Sequence, residues 1–295
     1  MFAIVESGST KSDWRIVAND GATQSVVTAG FNPFITSGSL IVQELKGNAL
    51  LMGIANQLKA IYFYGAGCST PEMNAVVADA LHTVLPNVHV EVDHDLMGAA
   101  LAASQGEESI ICILGTGSNA CYFNGTTVEN GRPSLGYVLG DEAGGVWFGK
   151  QLIADYLHGF LPTEMHHALE EMGVTKEEVL QRVYREARPN TYLASFMPVL
   201  NRYRSLSYTQ DLLHKGFAAF LSRYVCYFPK HESIPIHFVG SVAYFFQEEL
   251  KEALQQMSLT LGDVVQHPVE RLVHYHLNKI RVYTSSCAIS AIRTR

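Results

Sequence analysis

The sequence predicts an α/β protein built from two similar domains, and two matching stretches carry this prediction. Ala3 to Trp14 reads AIVESGSTKSDW, which is an apolar strand, a tight glycine turn and a second strand. Ile110 to Phe123 reads IICILGTGSNACYF and repeats that order, with Gly117 matching Gly8. A repeat of this kind indicates a duplicated unit, and we expect the two copies to face each other across a cleft.

The segments after each hairpin alternate between helical and strand patterns, which is typical of a layered α/β fold. In the first half the predicted elements are a third meander strand at 25–28, helices at 39–59, from Thr70 onward and at 95–104, and strands at 60–64 and 88–92. Thr70 and Pro71 are a typical N-cap and first helical residue. In the second half they are meander strands at 110–114, 120–123 and 126–130, helices at 146–158, 241–257 and 267–277, and strands at 236–239 and 259–264.

The predicted boundary between the domains lies near Ser109. We assign residues 1–108 to an N-terminal domain and 109–295 to a C-terminal domain, with a helical insertion over about 163–227. Residues 281–295 carry no assignable pattern and fit either a helix packed on the first domain or a loose tail.

Composition excludes several classes of function. The chain has 295 residues, enough for two medium domains, and a formal net charge of -7, which argues against a nucleic-acid or anionic-membrane binder. No run reaches the length of a membrane-spanning helix, and the first residues enter a strand without a leader pattern. The five cysteines lack C-x-x-C spacing and are expected to be reduced thiols in a cytoplasmic protein.

The first glycine turn has the chemistry of a phosphate site. Gly8 lets backbone approach a ligand, while Ser9, Thr10 and Lys11 supply hydroxyl groups and an ammonium group. It is not a Walker A loop, because G-x-x-x-x-G-K-[ST] is absent and the turn returns into a strand. A surface hairpin with an exposed lysine fits this turn equally well by itself. The second copy, with Thr116 before Gly117, favours the phosphate site.

Two acidic residues stand beside these elements. Glu6 ends a strand next to the turn and suits Mg²⁺, which needs only one or two protein carboxylates, although a solvated turn acid fits Glu6 as well. Asp95 lies where a strand meets a helix, and a helix start lowers a carboxylate's pKa and keeps it ionised. Asp95 is therefore a candidate general base, with a plain N-cap at Asp93 or Asp95 as the alternative.

Two glycine-rich loops of the second half complete the set. Gly140-Asp141-Glu142 precedes a helix, with Asp141 predicted as the functional acid and Glu142 as a helix-start acid. Gly240-Ser241 follows a strand and opens a helix, which presents N–H groups to an anion or a flat ring. The Gln247-Glu248-Glu249 run is predicted to be a solvated helix face.

Taken in order, these motifs resemble the sugar kinase/actin/Hsp70 ATPase fold. More closely they resemble its N-acetylglucosamine kinase branch, grouped with the BadF/BadG/BcrA/BcrD-type ATPases. SGSTKSDW at 7–14 resembles the first phosphate motif, LGTGS at 114–118 the second, and FVGSVA at 238–243 the adenosine motif. GDEAG at 140–144 resembles the family's GDEGS, from which Ala143 and Gly144 depart. The resemblance spans residues 1 to about 276 and implies two ribonuclease H-like (actin-like ATPase) domains.

The resemblance also implies a role for individual residues. ATP would be bound by Ser9, Thr10, Lys11, Gly115, Thr116, Gly117, Gly240 and Ser241. The substrate would be bound by Asn32, Asp95, Gly140 and Asp141, with Asp95 as the catalytic residue in preference to Asp93. Glu6 would hold the metal at a position where the family usually has aspartate, and its extra methylene is expected to displace the ion and slow turnover.

The function that the resemblance implies is an ATP- and Mg²⁺-dependent sugar kinase acting on N-acetylglucosamine or a related amino sugar. Its partners would be the sugar and ATP, without nucleic acid or membrane. One alternative is an ATPase that activates a CoA-dependent dehydratase or reductase through an iron–sulfur cluster bridging a dimer; here Cys121 and Cys226 are far apart in sequence and in apolar settings. Another is a sugar sensor without turnover. The sequence does not distinguish between individual amino sugars or between their hydroxyl groups. A homodimer is one of the oligomeric states that it allows.

Overall fold

The computed structural model describes residues 1–279 and divides them into two compact units. Unit 1 consists of residues 1–105 and 267–279, and unit 2 consists of residues 106–266. The division falls close to the expected boundary near Ser109. The last helix differs from expectation, because it belongs to unit 1 although the sequence assigned it to the second domain.

Unit 1 is built on a five-stranded sheet in the order β3-β2-β1-β4-β5. β1, β2 and β3 form an antiparallel meander, and β4 and β5 run parallel to β1. The elements are β1 (Phe2–Ser7), β2 (Lys11–Val17), β3 (Thr23–Ala29), α1 (Gly38–Gly47), α2 (Ala49–Ile54), β4 (Ala60–Gly65), α3 (Pro71–Val84), β5 (His89–His94), α4 (Asp95–Ala103) and α14 (268–279).

Both faces of this sheet are covered, because alternate residues of a strand point to opposite sides. Ala3 and Val5 belong to a core that includes residues of α1 and α3. Ile4 points to the other face and packs with residues of α4 and α14. Gly98 brings α4 close to the sheet, since a Cβ there would lie 2.7 Å from Cβ of Tyr64.

Helix α14 joins unit 1 through specific contacts. Val269, Leu272 and Val273 are buried in the same cluster as Ile4, and the chain's return is further fixed by an ion pair of 2.6 Å between Arg15 and Glu270. From its position late in the sequence, this helix was predicted to belong to the second domain, whereas its buried contacts are with unit 1. Residues 281–295, for which the sequence left two alternatives, lie outside the described residues.

Unit 2 repeats the topology of unit 1, with sheet order β10-β9-β6-β7-β8. Three antiparallel strands are again followed by two strands parallel to the first. The elements are β6 (Ser109–Leu114), β7 (Ser118–Phe123), β8 (Val128–Asn130), α5 (Gly136–Leu139), α6 (Gly145–His158), α7 (Thr163–Glu171), α8 (Lys176–Tyr184), α9 (Pro189–Ala194), α10 (Met197–Arg202), α11 (Ser207–Phe220), a π-helical turn (Leu221–Val225), β9 (Ile236–Val239), α12 (Ser241–Phe245), α13 (Gln247–Gln256) and β10 (Leu261–Val265). The prediction of two similar α/β domains is confirmed.

Helices α7 to α11 and the π-helical turn fill the stretch where the sequence predicts a helical insertion. Pro189 and Pro198 stand in the first turns of α9 and α10, where a missing N–H costs nothing. None of the helices within residues 1–279 is long and apolar enough to cross a membrane.

Candidate active site

The first glycine turn is fixed by the loop that follows β3. The N–H of Gly8 donates to the carbonyl of Lys11 (2.9 Å), and the N–H of Gly30 donates to the carbonyl of Thr10 (3.1 Å). Only glycine fits at position 30, because a Cβ there would lie 2.3 Å from the carbonyl oxygen of Gly8. The turn that carries Ser9 is therefore packed directly on the loop that carries Asn32.

Asn32 is brought to the phosphate-sized turn by its own amide group. Its Nδ2 donates to Oγ of Ser9 (3.0 Å), and its Oδ1 accepts from the N–H of Phe34 (3.0 Å). Gly67, with φ +82°, packs against this amide, since a Cβ there would lie 2.3 Å from Oδ1 of Asn32. The predicted sugar contact and the predicted phosphate turn therefore meet in unit 1.

Glu6 stands in an acidic setting on the sheet. It pairs with Asp13 across β1 and β2, and Asp13 forms an ion pair of 2.7 Å with Lys11. Burial, followed by the charges of Asp13 and Asp95, raises the pKa of Glu6 to about 7, against the opposing effect of Lys11. Glu6 is thus half-buried beside two other carboxylates and changes charge near neutral pH.

Carboxylate oxygens are ligands that Mg²⁺ accepts, and the charges of Asp13 and Asp95 both act on Glu6. Within residues 1–279, no group of three or more His, Cys, Asp or Glu side chains is arranged to hold a metal ion. The role of Glu6 as a metal ligand therefore stays a prediction.

Asp95 is the first residue of α4, and His94 is its N-cap. Oδ1 of Asp95 accepts from the N–H of Leu96 (2.9 Å). Burial raises the pKa of Asp95, and this outweighs His94 and the backbone N–H groups, which lower it. The sequence-based expectation of a lowered pKa was wrong in direction, because it considered the helix start and not the desolvation. A raised pKa makes Asp95 a stronger base.

In unit 1 the predicted residues Glu6, Ser9, Thr10, Lys11, Asn32 and Asp95 follow or end strands β1, β3 and β5. β1 and β5 are both parallel to β4, so their carboxyl ends lie at one edge of the sheet. The hydrogen bond between Asn32 and Ser9 and the charge effect of Asp95 on Glu6 tie these residues together.

The second glycine turn is fixed by the start of α6. The N–H of Gly145 donates to the carbonyl of Gly115 (2.8 Å), and that of Val146 donates to the carbonyl of Thr116 (2.9 Å). Asp141 reaches the same turn, since its Oδ1 accepts from the N–H of Ser118 (3.2 Å). Burial is the main cause that raises the pKa of Asp141.

Packing against this turn accounts for one departure from the GDEGS motif. A Cβ on Gly144 would lie 2.7 Å from the carbonyl carbon of Gly117, so the family's serine does not fit here. Ala143 has φ +59°, in the left-handed region that the family's glycine adopts without steric strain.

Glu142 does not act as a helix-start acid, contrary to the sequence-based prediction. It is only 4% exposed, lies before the N-cap Gly144, and forms an ion pair with Arg223. The hydroxyl of Tyr224 donates to the same carboxylate (3.2 Å). Gly140 lies beside it, because a Cβ there would be 3.2 Å from the Tyr224 hydroxyl. Glu142 therefore anchors the glycine-rich loop to the π-helical turn.

Gly240 joins the predicted adenosine motif to the second turn. It has φ +120°, and a Cβ there would lie 2.4 Å from the carbonyl oxygen of Leu114. Next to it a cavity of about 440 Å³ opens, bounded by the predicted residues Gly115, Thr116 and Ser241. Sequence reasoning missed the rest of its lining, which is Gly145, Ala194, Ser195, Met197, Pro198, Asn201, Val242, Phe245 and Phe246.

The missed lining comes mainly from α9, α10 and α12 and their ends. Apart from Gly145 and Val242, which adjoin or belong to the glycine motifs, no glycine motif or charge marks these residues in the sequence. An apolar cavity of this size with a few polar groups at its rim is typical of a small-molecule site.

Within residues 1–279, the cysteines of unit 2 lie in places unsuited to a shared cluster. Cys112 and Cys121 are fully buried in the sheet of unit 2, and Cys226 is half-buried. A cluster that bridges two chains needs thiolates at the surface, which Cys121 does not offer.

Comparison with solved structures gives a relative that covers nearly the whole chain. A candidate N-acetylglucosamine kinase from Porphyromonas gingivalis is 38% identical, with a TM-score of 0.88, over 94% of this chain and 99% of that one. The chain belongs to the N-acetylglucosamine kinase-like family. No protein-family model matches the chain, and no curated protein does.

More distant structures share the sugar kinase/actin-like ATPase fold with this family member. A candidate N-acetylglucosamine kinase from Chromobacterium violaceum is 18% identical, with a TM-score of 0.67, over 93% of this chain and 98% of that one. A candidate N-acetylmannosamine kinase from Listeria monocytogenes is 15% identical, with a TM-score of 0.53, over 94% and 99%. At these identities the likeness concerns the fold alone.

Proposed function

We propose that the protein is an ATP-dependent sugar kinase that transfers the γ-phosphoryl group of ATP to a hydroxyl of N-acetylglucosamine or a related amino sugar. The observation that carries this proposal is the apolar cavity of about 440 Å³ whose rim is the glycine turn at Gly115 and Thr116. A nucleoside suits the apolar part, and phosphates suit the backbone and hydroxyl groups at the rim. The name of the Porphyromonas relative supports the same class of reaction.

The two units divide the work in this proposal. Unit 2 would bind the nucleoside and phosphates through Gly115, Thr116, Gly117, Gly240 and Ser241. Asp141 and Gly140, in the loop packed beside the turn, would contact the substrate or the transferred phosphate.

Unit 1 would supply the acceptor side. Asn32 would bind the sugar, and Ser9, Thr10 and Lys11 would contact phosphate oxygens. Asp95 would accept the proton of the attacking hydroxyl, for which its raised pKa is favourable. Mg²⁺, when bound beside Glu6, would neutralise charge on the phosphates, and the ammonium of Lys11 would contribute to the same effect.

A coupled ADP-release assay tests the proposal most directly. The panel is N-acetylglucosamine, N-acetylmannosamine, glucosamine, glucose and a no-sugar blank, and mass spectrometry of the sugar detects the added phosphate. We expect ADP release that depends on an amino sugar and matches the sugar phosphate formed. ADP released equally without sugar would indicate an ATPase, and nucleotide binding without any release would indicate a sensor; either result contradicts the kinase.

A further inference from the structure

The nucleoside cavity of unit 2 lies between two short helices from different parts of the chain. α10 contributes Met197, Pro198 and Asn201, and α12 with the residue after it contributes Ser241, Val242, Phe245 and Phe246. Short helices have little stability by themselves, so other contacts must fix the distance between these walls.

Arg204 makes the contact that joins them. It lies two residues after the end of α10, and its Nη1 donates to the carbonyl oxygen of Phe245 (3.1 Å) at the end of α12. The last carbonyls of a helix lack hydrogen-bond donors within the helix, so Arg204 supplies the donor that the carbonyl of Phe245 otherwise lacks. The guanidinium also lies 5.8 Å from the ring centre of Phe246.

Glu249 holds that guanidinium in place. Its two carboxylate oxygens accept from Nε and Nη2 of Arg204 at 2.5 Å each, which is the bidentate geometry that fixes both position and plane. Gln210 adds two bonds, donating to Glu249 (3.0 Å) and to the carbonyl of Arg204 (2.7 Å). Glu249 lies in the first turn of α13.

The burial of Glu249 restricts the geometry of its ion pair with Arg204. Glu249 is only 3% exposed, so its charge needs the guanidinium, and a different geometry would leave a buried carboxylate without a partner. The sequence-based prediction of a solvated helix face over 247–249 is wrong for this residue. Arg204 cannot follow a moving cavity wall without giving up Glu249.

We propose that Arg204 and Glu249 are positioning residues that set the width of the nucleoside cavity by tying the end of α10 to the end of α12. The inference rests on the proposed function, since it assigns this cavity to the nucleoside of ATP. Neither side chain is among the residues that line the cavity. The pair acts on the nucleoside through Phe245 and Phe246 and leaves the phosphate turn and the sugar site unchanged.

Steady-state kinetics of Arg204→Lys and Glu249→Gln test the inference. Lysine keeps the charge but cannot hold the carboxylate bidentately and reach the carbonyl of Phe245 together. We expect the KM for ATP to rise about tenfold in both variants, as for the loss of one strong hydrogen bond, while kcat and the KM for the sugar change less than about twofold. The matched control is Glu252→Gln, which lies on α13 like Glu249 and breaks a pair of 3.1 Å with His214 of α11. It should leave all three constants unchanged.

Inhibition by fragments of ATP separates positioning from general destabilisation. Adenosine should inhibit both variants about tenfold more weakly than the wild type, in step with the KM for ATP. Inorganic tripolyphosphate should inhibit all of them equally, because the phosphate turn does not touch the pair. Equal loss for both inhibitors, or an unchanged KM for ATP in Arg204→Lys, would overturn the inference.

A second variant keeps the test decisive if the single changes fold poorly. Arg204→Met combined with Glu249→Leu removes both charges and leaves neither buried without a partner, which proteins tolerate well. It still lacks the bond to Phe245, so the KM for ATP should again rise about tenfold at unchanged sugar KM. A wild-type protein without sugar-dependent ADP release would instead remove the proposed function itself, whereas unchanged constants in an active variant contradict only the positioning role.

Discussion

The two units share one topology but differ in the row of side chains near the carboxyl ends of their central strands. In unit 1 the row across β2, β1, β4 and β5 is Asp13, Glu6, Tyr64 and Asp93. In unit 2 the matching row across β7, β6, β9 and β10 is Asn119, Ile113, Val239 and Val265. Acidic residues on one side correspond to amide and aliphatic residues on the other.

The difference teaches how a duplicated fold divides its tasks. Burial, followed by repulsion from the carboxylates of Asp13 and Asp95, raises the pKa of Glu6, and this is the cost of placing acids on a half-buried sheet. Such a cost is kept where charge is used, at functional sites. Unit 2 carries aliphatic residues at the matching positions and has the apolar cavity.

The two glycine turns differ in the same sense. Gly8 to Lys11 separate the last paired residues Ser7 and Ser12, whereas only Gly115 to Gly117 separate Leu114 and Ser118. The longer turn is the one that adds the cationic Lys11. The following predictions alter one unit at a time.

The largest effect is expected for Asp95→Asn in unit 1. Loss of a general base should lower kcat by about 10²–10⁴-fold. ADP should still raise the melting temperature, because the cavity that we propose for the nucleoside is made of unit 2 residues. Coupled ADP release and thermal shifts measure the two effects, with Asp93→Asn as a control whose kcat should fall less. Near-normal turnover in Asp95→Asn would show that another group takes the proton.

The next effect concerns the charge of Glu6. Its folded pKa of about 7 lies above the ordinary 4.5, so its stabilising contribution is present below pH 4.5 and is lost as the pH rises through 7. Glu6→Gln should therefore raise the free energy of unfolding at pH 8 by up to about 3 kcal/mol and leave it nearly unchanged at pH 4. Urea denaturation at both pH values measures this difference. Equal stability of the wild type and the variant at pH 8 would show that the charged form of Glu6 does not destabilise the fold.

The activity of Glu6 variants sharpens the same comparison. Glu6→Gln should lower turnover, since the carboxylate that we propose to face Mg²⁺ is lost, while Glu6→Asp should keep or raise it because aspartate is usual in the family. A clear loss in Glu6→Asp would show that glutamate is the adapted residue here.

A smaller effect, on the pH dependence of stability, is expected for His276, which contacts Tyr64, the uncharged residue of the acidic row. The hydroxyl of Tyr64 lies 2.8 Å from Nε2 of the buried His276 in α14, and burial lowers the pKa of His276 to about 4 from 6.5. The stabilisation from the neutral ring is present above pH 6.5 and is lost as the pH falls through 4. His276→Gln should flatten this loss, by about 2 kcal/mol between pH 7 and pH 4, whereas His274→Gln, exposed on the same helix, should not. If the free energy of unfolding depended on pH in the same way in both variants, burial of a neutral His276 would not be the cause of the loss.

The smallest effect is expected for Gly115→Ala in unit 2. No atom within residues 1–279 lies within 4 Å of a Cβ at this position, so the melting temperature should hold. The methyl group would occupy space at the turn where phosphate approaches the backbone, and the KM for ATP should rise about tenfold. Gly47→Ala, where space is equally open in α1, should leave the KM unchanged. An unchanged KM in Gly115→Ala would place the phosphates elsewhere.

Local features of the chain were predictable because their causes are local. The side chain of Thr70 accepts from the N–H of Met73 with Pro71 at the first position of α3, as the order of these residues indicates. The two hairpins followed from apolar runs on either side of a glycine turn. The roles of Glu142 and Glu249 were missed, because their partners Arg223 and Arg204 are distant in sequence.

The sequence by itself determined the duplicated strand–turn–strand units, the α/β class and the family resemblance, since these depend on neighbouring residues and on motifs. Only the tertiary structure decided that α14 packs on unit 1, that Asp95 has a raised pKa, and that α10 and α12 enclose a cavity. The physical reason is that burial is set by residues far apart in the chain. Desolvation, buried ion pairs and cavity walls arise only once those residues are in contact.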